Sequence, residues 1–376
     1  MVDRKVPFFD YQKFFSDDEK DLMPIITDVC RRGAFILQKD LEDFENELAD
    51  YLGVNHVIGL ANATDALHLL VRIAGIQEGD EVIFSSHTMV ASPAAIHFAG
   101  AVPVPVECGP DHLIDPAAVE AAITSKTRAI MPTQLNGRVA DMAAIQEIAE
   151  KYDLLIIEDS AQALGAKFRG KVAGSFGVGG CISFYPAKTL GALGDGGCVV
   201  TNSDETNDRL RQMRDHGRDA NGEVVGWGLN SRLDNLQAAI LRWKLKHYDE
   251  YITHRRDLAQ IYHAELDGLT GLKLPPCPEN SGDHFDIYQN YEISCDGREE
   301  LRSYLKAQGI GTMVQWGGKA VHMFERLGFP HTLPSTESLF KRCVMLPMNT
   351  TVSTDDVYYV CGQIKEFYRG HSVKAA

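Results

Sequence analysis

The sequence predicts an α/β fold in which a mainly parallel, seven-stranded sheet lies between helices and a smaller α+β unit follows. Three observations lead there. Short apolar runs rich in Val and Ile alternate with amphipathic helical segments. Those runs are apolar throughout instead of alternating with polar residues, as expected of strands buried on both faces. After about residue 250 the alternation stops, and a proline-rich break, "LPPCPENSGD" (Leu274 to Asp283), separates a different pattern.

Taken in order, "DLMPIITDVCRRGAFILQKDLEDFENELADYLG" has helical periodicity interrupted at Gly33, with Asp40 as the expected cap of its second piece. It reads as an N-terminal helical arm. The seven expected strands are "HVIGLAN", "DEVIFSS", "AVPVPVE", "RAIMPTQ", "LLIIEDS", "CISFY" and "GCVVT", and helical stretches such as "TDALHLLVRIAG" and "DMAAIQEIAEKYD" lie between the first five. The long helical stretch "RLDNLQAAILRWKLKHYDEYITHRRDLAQIYHAELDG" leads out of this unit. The expected division is residues 1–250, a large domain with its arm, and 251–376, a small domain in which "YQNYEIS", "REELRSYLKAQGI" and "DDVYYVCGQIKEFYRG" suggest α+β layering.

Composition narrows the function. A net charge of −15 argues against a nucleic-acid or anionic-membrane partner, since both need a basic face. No window approaches about 18 uninterrupted apolar residues, and the opening "MVDRKVPFFDYQKFF" lacks the apolar core of a signal peptide, so a cytoplasmic protein is expected. The eight cysteines are scattered without CxxC pairs or metal-ligand spacing; they read as buried free thiols, and no metal is expected.

The chemistry gathers at "SFYPAKTLGALGDGG", Ser183 to Gly197. Lys188 there is not a P-loop lysine, because the two positions that need glycine hold Ala187 and Ile182. The nearby "GSFGVGG" precedes an apolar run instead of following a strand, so it is no dinucleotide fingerprint either. Two further strand ends carry polar groups: "IIEDSAQALGA" with Asp159 and Gln162, and "ANATDALHLL" with Ala63, Thr64 and Asp65 at the start of a helix. Each alone is an ordinary cap, salt bridge or solvated charge. Together they match pyridoxal phosphate, which needs an amine for a Schiff base, a carboxylate to keep its ring nitrogen protonated, and a helix N-terminus for its phosphate. Ser183 could add a hydroxyl to that phosphate.

In these four stretches, the three above and "GLNSRLDNLQAAIL", the chain resembles the DegT/DnrJ/EryC1/StrS sugar aminotransferases of fold type I, and the resemblance runs over nearly its whole length. It implies that Lys188 bonds to the cofactor and shuttles the proton, that Asp159 pairs with the pyridine nitrogen, and that Gln162 lies near the ring hydroxyl. Ala63, Thr64 and Ser183 would hold the phosphate, and Asn230 would reach the phosphate of a neighbouring subunit, implying a homodimer with shared active sites. Where members commonly stack an aromatic ring on the cofactor, this chain offers Met89, with His87 two residues before it; sulfur can serve there. "QLNG" (Gln134 to Gly137) stands where HLYG is usual, and "GTMVQWGGKAVHMF" lacks the usual prolines.

The substrate candidates are Tyr185, Arg232, Trp316, Lys319 and His322. Arg232 could equally pair with Asp234 or Asp195, as surface arginines do. The implied reaction moves an amino group from L-glutamate to a keto-sugar, most simply a nucleotide-linked 3-keto or 4-keto deoxysugar. The departures leave open a non-nucleotide keto-sugar or a small phosphorylated ketone. A deoxygenating relative would carry histidine in place of Lys188, and a non-catalytic regulator would leave the complete set unexplained.

Overall fold

A computed structural model describes residues 4–280 and 282–372. Two helices open the chain, α1 (Tyr11–Arg32) and α2 (Lys39–Leu52). The first starts well before the expected periodic stretch and runs through Pro24. Gly33 ends it in the left-handed conformation, at φ 62°, as a Schellman-type cap requires. Asp40 is not the cap of α2. Gln38 holds that position without a side-chain bond to the helix's free N–H groups, while Asp40 lies in the first turn, where its carboxylate accepts from Asn235 and Arg32.

The large sheet contains β1 (His56–Leu60), β2 (Glu81–Ser85), β3 (Val102–Val106), β4 (Thr127–Met131) and β5 (Leu155–Asp159). After a small hairpin, β6 (Lys167–Phe168) and β7 (Lys171–Val172), come β8 (Gly179–Ser183) and β9 (Gly197–Thr201). The helices between them are α3 (Ala63–Ile73), α4 (Ala91–Phe98), α5 (Pro116–Ala121) and α6 (Met142–Tyr152). All seven expected strands form one sheet, ordered β1-β9-β8-β5-β4-β2-β3, in which only β9 runs against the others. Burial on both faces explains the unbroken apolar runs. In β2, Ile83 enters the core beneath α2 and α6, while Val82 and Phe84 enter the opposite core beneath α3.

Three helices follow: α7 (Asp204–Met213), α8 (Asn235–Leu245) and α9 (Tyr248–Leu266). The long helical stretch thus breaks around His247. Along α9, Tyr248 and Ile252 belong to the first core, and Leu258, Tyr262 and Leu266 to a second one. That second core lies under a sheet of β10 (Leu272–Lys273), β12 (Tyr291–Cys295) and β13 (Cys343–Leu346), while β11 (His284–Phe285) pairs with β6. Helices α10 (Arg298–Ala307) and α12 (Thr354–Ser372) complete it, with the short α11 (Pro334–Phe340) before β13. Val6 joins this core and pairs with Ile310, so the chain's first described residues pack with its last third.

Candidate active site

The carboxyl ends of β1, β2, β4, β5 and β8 face a cavity of about 670 Å³, at the edge where ligands bind in open α/β sheets. Its lining includes Asn62, Ala63, Thr64, Met89, Asp159, Gln162, Ser183, Tyr185, Lys188 and Trp316, so nine of the predicted site residues meet in one space together with the cap Asn62.

Lys188 sits on the loop joining β8 to β9. Gln289 clamps that loop on both sides of the lysine: its amide nitrogen donates to the Ala187 carbonyl at 2.9 Å, and its oxygen accepts from Thr189 N–H at 2.7 Å and Thr189 Oγ1 at 2.8 Å. Arg255, buried and donating to the carbonyls of Tyr288, Gln289 and Met348, fixes the clamp in turn. Burial pulls the Lys188 amine from 10.5 down to about 8, against the opposing attraction of Asp159. The result is an amine that can lose its proton near neutral pH.

Asp159 ends β5 and is 4% exposed. Its Oδ2 accepts from Ser92 Oγ at 2.6 Å, and its Oδ1 from the Ala161 N–H at 3.2 Å. Behind Ser92 stand Thr88 at 2.8 Å and, beyond it, Thr133 at 2.9 Å. Hydrogen bonds of this kind lock the direction of the carboxyl group. Gln162 accepts through its side-chain oxygen from Asn136 N–H at 2.8 Å and from Asn290 at 3.3 Å, leaving its NH₂ to be offered to a ligand.

The anion end is the first turn of α3. Asn62 caps it, accepting from Asp65 N–H at 2.8 Å, which leaves the Ala63 and Thr64 N–H groups without intrahelical partners. Strand β9 passes so close that a Cβ on Gly197 would lie 2.6 Å from Ala63 N. The "NSR" stretch braces the same turn: Ser231 Oγ donates to Asp65 Oδ2 at 2.7 Å and accepts from Ala61 N–H at 3.3 Å. These motifs, far apart in sequence, therefore form one cradle. The groups present fit pyridoxal phosphate: a desolvated amine, a fixed carboxylate and an anion-binding turn open to the same cavity.

Four predicted residues are not brought there. Arg232 pairs with Asp215 at 2.7 Å, a partner other than the two anticipated. His322 is buried between Ser86 Oγ, 2.7 Å from its Nδ1, and Glu337, 3.3 Å from its Nε2. Lys319 is exposed outside the cavity lining. Asn230 is exposed beside Asp215, also away from this chain's cavity. The sequence reading missed Phe8, Phe9 and Tyr11, which line the cavity from the N-terminus, as well as Asn290 and Gln315. The aromatic density of "PFFDYQKFF" was a signal for the first three; the other two had none. Trp316 holds φ at 54°, rare for a bulky residue, and its buried indole N–H has no acceptor among the described residues.

Comparison with known proteins agrees with this geometry. A "Pleiotropic regulatory protein" of Geobacillus stearothermophilus is 39% identical over 97% of this chain and 99% of its own length. The dTDP-3-amino-3,4,6-trideoxy-alpha-D-glucose transaminase of Streptomyces venezuelae is 38% identical over 96% of both chains. The crystal structure of S. venezuelae DesV in complex with a ketimine intermediate superposes with a TM-score of 0.92, at 38% identity over 97% of this chain and 98% of that one. Residues 16–365 match a family model, and the chain belongs to the DegT/DnrJ/EryC1/StrS aminotransferase family, whose cofactor is pyridoxal phosphate.

Proposed function

We propose that this keto-sugar aminotransferase takes its amino group from L-glutamate and delivers it to carbon 3 of a nucleotide-linked keto-sugar. The observation that carries the reading is the meeting of Lys188, Asp159 and the first turn of α3 in one cavity. The S. venezuelae transaminase, whose name specifies a 3-amino dTDP-sugar, supports the choice of carbon and of a nucleotide carrier.

Bound pyridoxal phosphate supplies an electrophilic carbonyl carbon and an electron-withdrawing ring, which amino-group exchange needs. The chain's own groups do the rest. Ala63 and Thr64 N–H groups with Ser183 would bind the phosphate at the positive end of α3. Asp159, held by Ser92, would keep a proton on the ring nitrogen. Gln162 would donate to the ring hydroxyl, and Met89 would lie against the ring. Lys188 Nζ would carry the proton between substrate carbon and cofactor, because an amine titrating near neutral pH can both accept and return it. Tyr185 and Trp316 would border the sugar.

The neighbouring-subunit role of Asn230 belongs to this proposal. Val224, Val225 and Trp227, the last 91% exposed, form an apolar tip just before Asn230. Such a tip on a monomer would be costly, and it supports a homodimer in which each chain reaches the other's cavity. The regulatory name of the G. stearothermophilus relative favours a second, non-catalytic reading. Against it stands the tuned Lys188 amine, which binding alone does not require.

The deciding experiment incubates the purified enzyme with L-glutamate and a dTDP-linked or UDP-linked 3-keto-sugar. Release of 2-oxoglutarate matched by 3-amino-sugar is expected. Release with a non-nucleotide keto-sugar alone would refute the nucleotide assignment, and no release with any keto-sugar would favour the binding protein.

A further inference from the structure

Behind the cavity wall lies a second cluster that this reaction does not use. His87, just past the carboxyl end of β2, is 0% exposed, and among the described residues neither of its ring nitrogens has a partner in good hydrogen-bond geometry. Its ring rests edge-on against Phe340, with centroids 4.7 Å apart. Its Nε2 stands 3.8 Å from Glu292 Oε2, and that same oxygen is 2.7 Å from His112 Nδ1. One ligand atom from each of the three residues falls within 4.8 Å of the others. A buried imidazole without partners is costly unless something supplies them.

The geometry points to a metal site: His87, His112 and Glu292 bind a divalent cation of the zinc type. Two imidazoles and a carboxylate form a donor set that zinc prefers, and three protein ligands leave a fourth position for water. Binding through Nδ1 of His112 requires its proton to move to Nε2, and the ion takes the place of the hydrogen bond to Glu292. The outer groups are already in place. Asn136 Nδ2 donates to Glu292 Oε2 at 3.0 Å and Gln315 Nε2 to Oε1 at 3.1 Å, which orients the carboxylate. A route exists as well, because His112 and Glu292 also line a separate cavity of about 410 Å³ with Asp111 and Asn136 at its sides.

The three ligands come from the loops after β2 and β3 and from β12, so the ion would tie the smaller sheet to the large one. It would do so directly behind Gln315 and Asn290, which line the cofactor cavity. Its role is to hold that wall, independently of amino-group transfer. No spacing in the sequence announces such a site, since its members lie far apart in the chain.

The test uses holoenzyme stripped with a chelator, dialysed against zinc and then freed of excess, with metal counted by mass spectrometry. About one zinc per chain is expected, with a rise in thermal midpoint on loading. His112→Gln, at the rim of the site, should fold and keep the cofactor's visible absorption yet retain at least about tenfold less zinc; Glu292→Gln is the second variant. Wild-type protein holding well under one zinc per chain, or equal zinc in wild type and His112→Gln, would overturn the assignment.

Discussion

The cofactor cavity has two walls of different construction. The strand-end wall is made of short loops leaving one sheet, and its polar groups are fixed by neighbours close at hand: Asn62 caps its own helix, and Ser92 holds Asp159. The opposite wall is assembled from the N-terminus, the segment around Trp316, and β12 and β13, with aromatic and amide side chains supplied by distant parts of the chain. On the proposed reading, the first wall would serve a constant ligand, the cofactor. The other, with strained backbone at Trp316 and the amides Asn290 and Gln315, is where substrate identity would be set. On that reading, chemistry and specificity would lie on separate walls and could be changed separately.

That contrast can be broken most directly at Lys188. Lys188→Ala should bind cofactor without covalent linkage and lose about 10²–10⁴-fold in turnover, the range for removing a positioned proton-transfer group; steady-state kinetics with the keto-sugar reads this out. Asp159→Asn should fall by about 10²-fold, and Ser92→Ala by about tenfold, since one charge-assisted hydrogen bond contributes roughly 1.5–3 kcal/mol. If Ser92→Ala were as damaging as Asp159→Asn, the hydroxyl would have a role beyond orienting the carboxylate.

Gly197→Ala tests the anion end. Its methyl would sit 2.6 Å from Ala63 N, and crowding of that kind costs about 1–3 kcal/mol. Weaker cofactor retention on gel filtration and a lowered thermal midpoint are expected.

A smaller effect should appear with pH in the cofactor-free protein. Lys188 titrates at about 8 when folded against 10.5 as its ordinary value. Below pH 8 folded and unfolded chains both carry the charge, and the fold bears the cost of burying it. Between about 8 and 10.5 the unfolded chain binds more protons, so stability rises with pH until the cost is gone. Lys188→Met should therefore melt above wild type below pH 8, with the gap closing as pH rises to 10.5. The smallest change is expected on the second wall's exterior: Lys319→Ala, outside the cavity, should move KM by less than about twofold.

Legibility in the sequence followed the same division between walls. All seven large-sheet strands could be read because each is a short apolar run, most of them buried on both faces and only the edge strand β3 half-exposed, and Lys188, Asp159 and the α3 turn because each sits in a local motif. Strand order could not be read, as it depends on crossovers and not on any one run. Arg232 looked available for an anion, but its partner Asp215 comes from the loop after α7, which periodicity does not locate. His322 looked like a substrate group because its neighbours in sequence suggested a pocket border; packing turned its ring toward Ser86 and Glu337 instead. Asp40 resembled a cap, yet tertiary bonds to Arg32 and Asn235 claimed its carboxylate.

The most direct test of the central claim is the visible absorption spectrum of the purified protein before and after L-glutamate is added. A Schiff-base band that bleaches on addition, present in wild type and absent from Lys188→Ala, is the predicted result. A protein that stays colourless with added pyridoxal phosphate, or keeps the band when Lys188 is replaced, would contradict it.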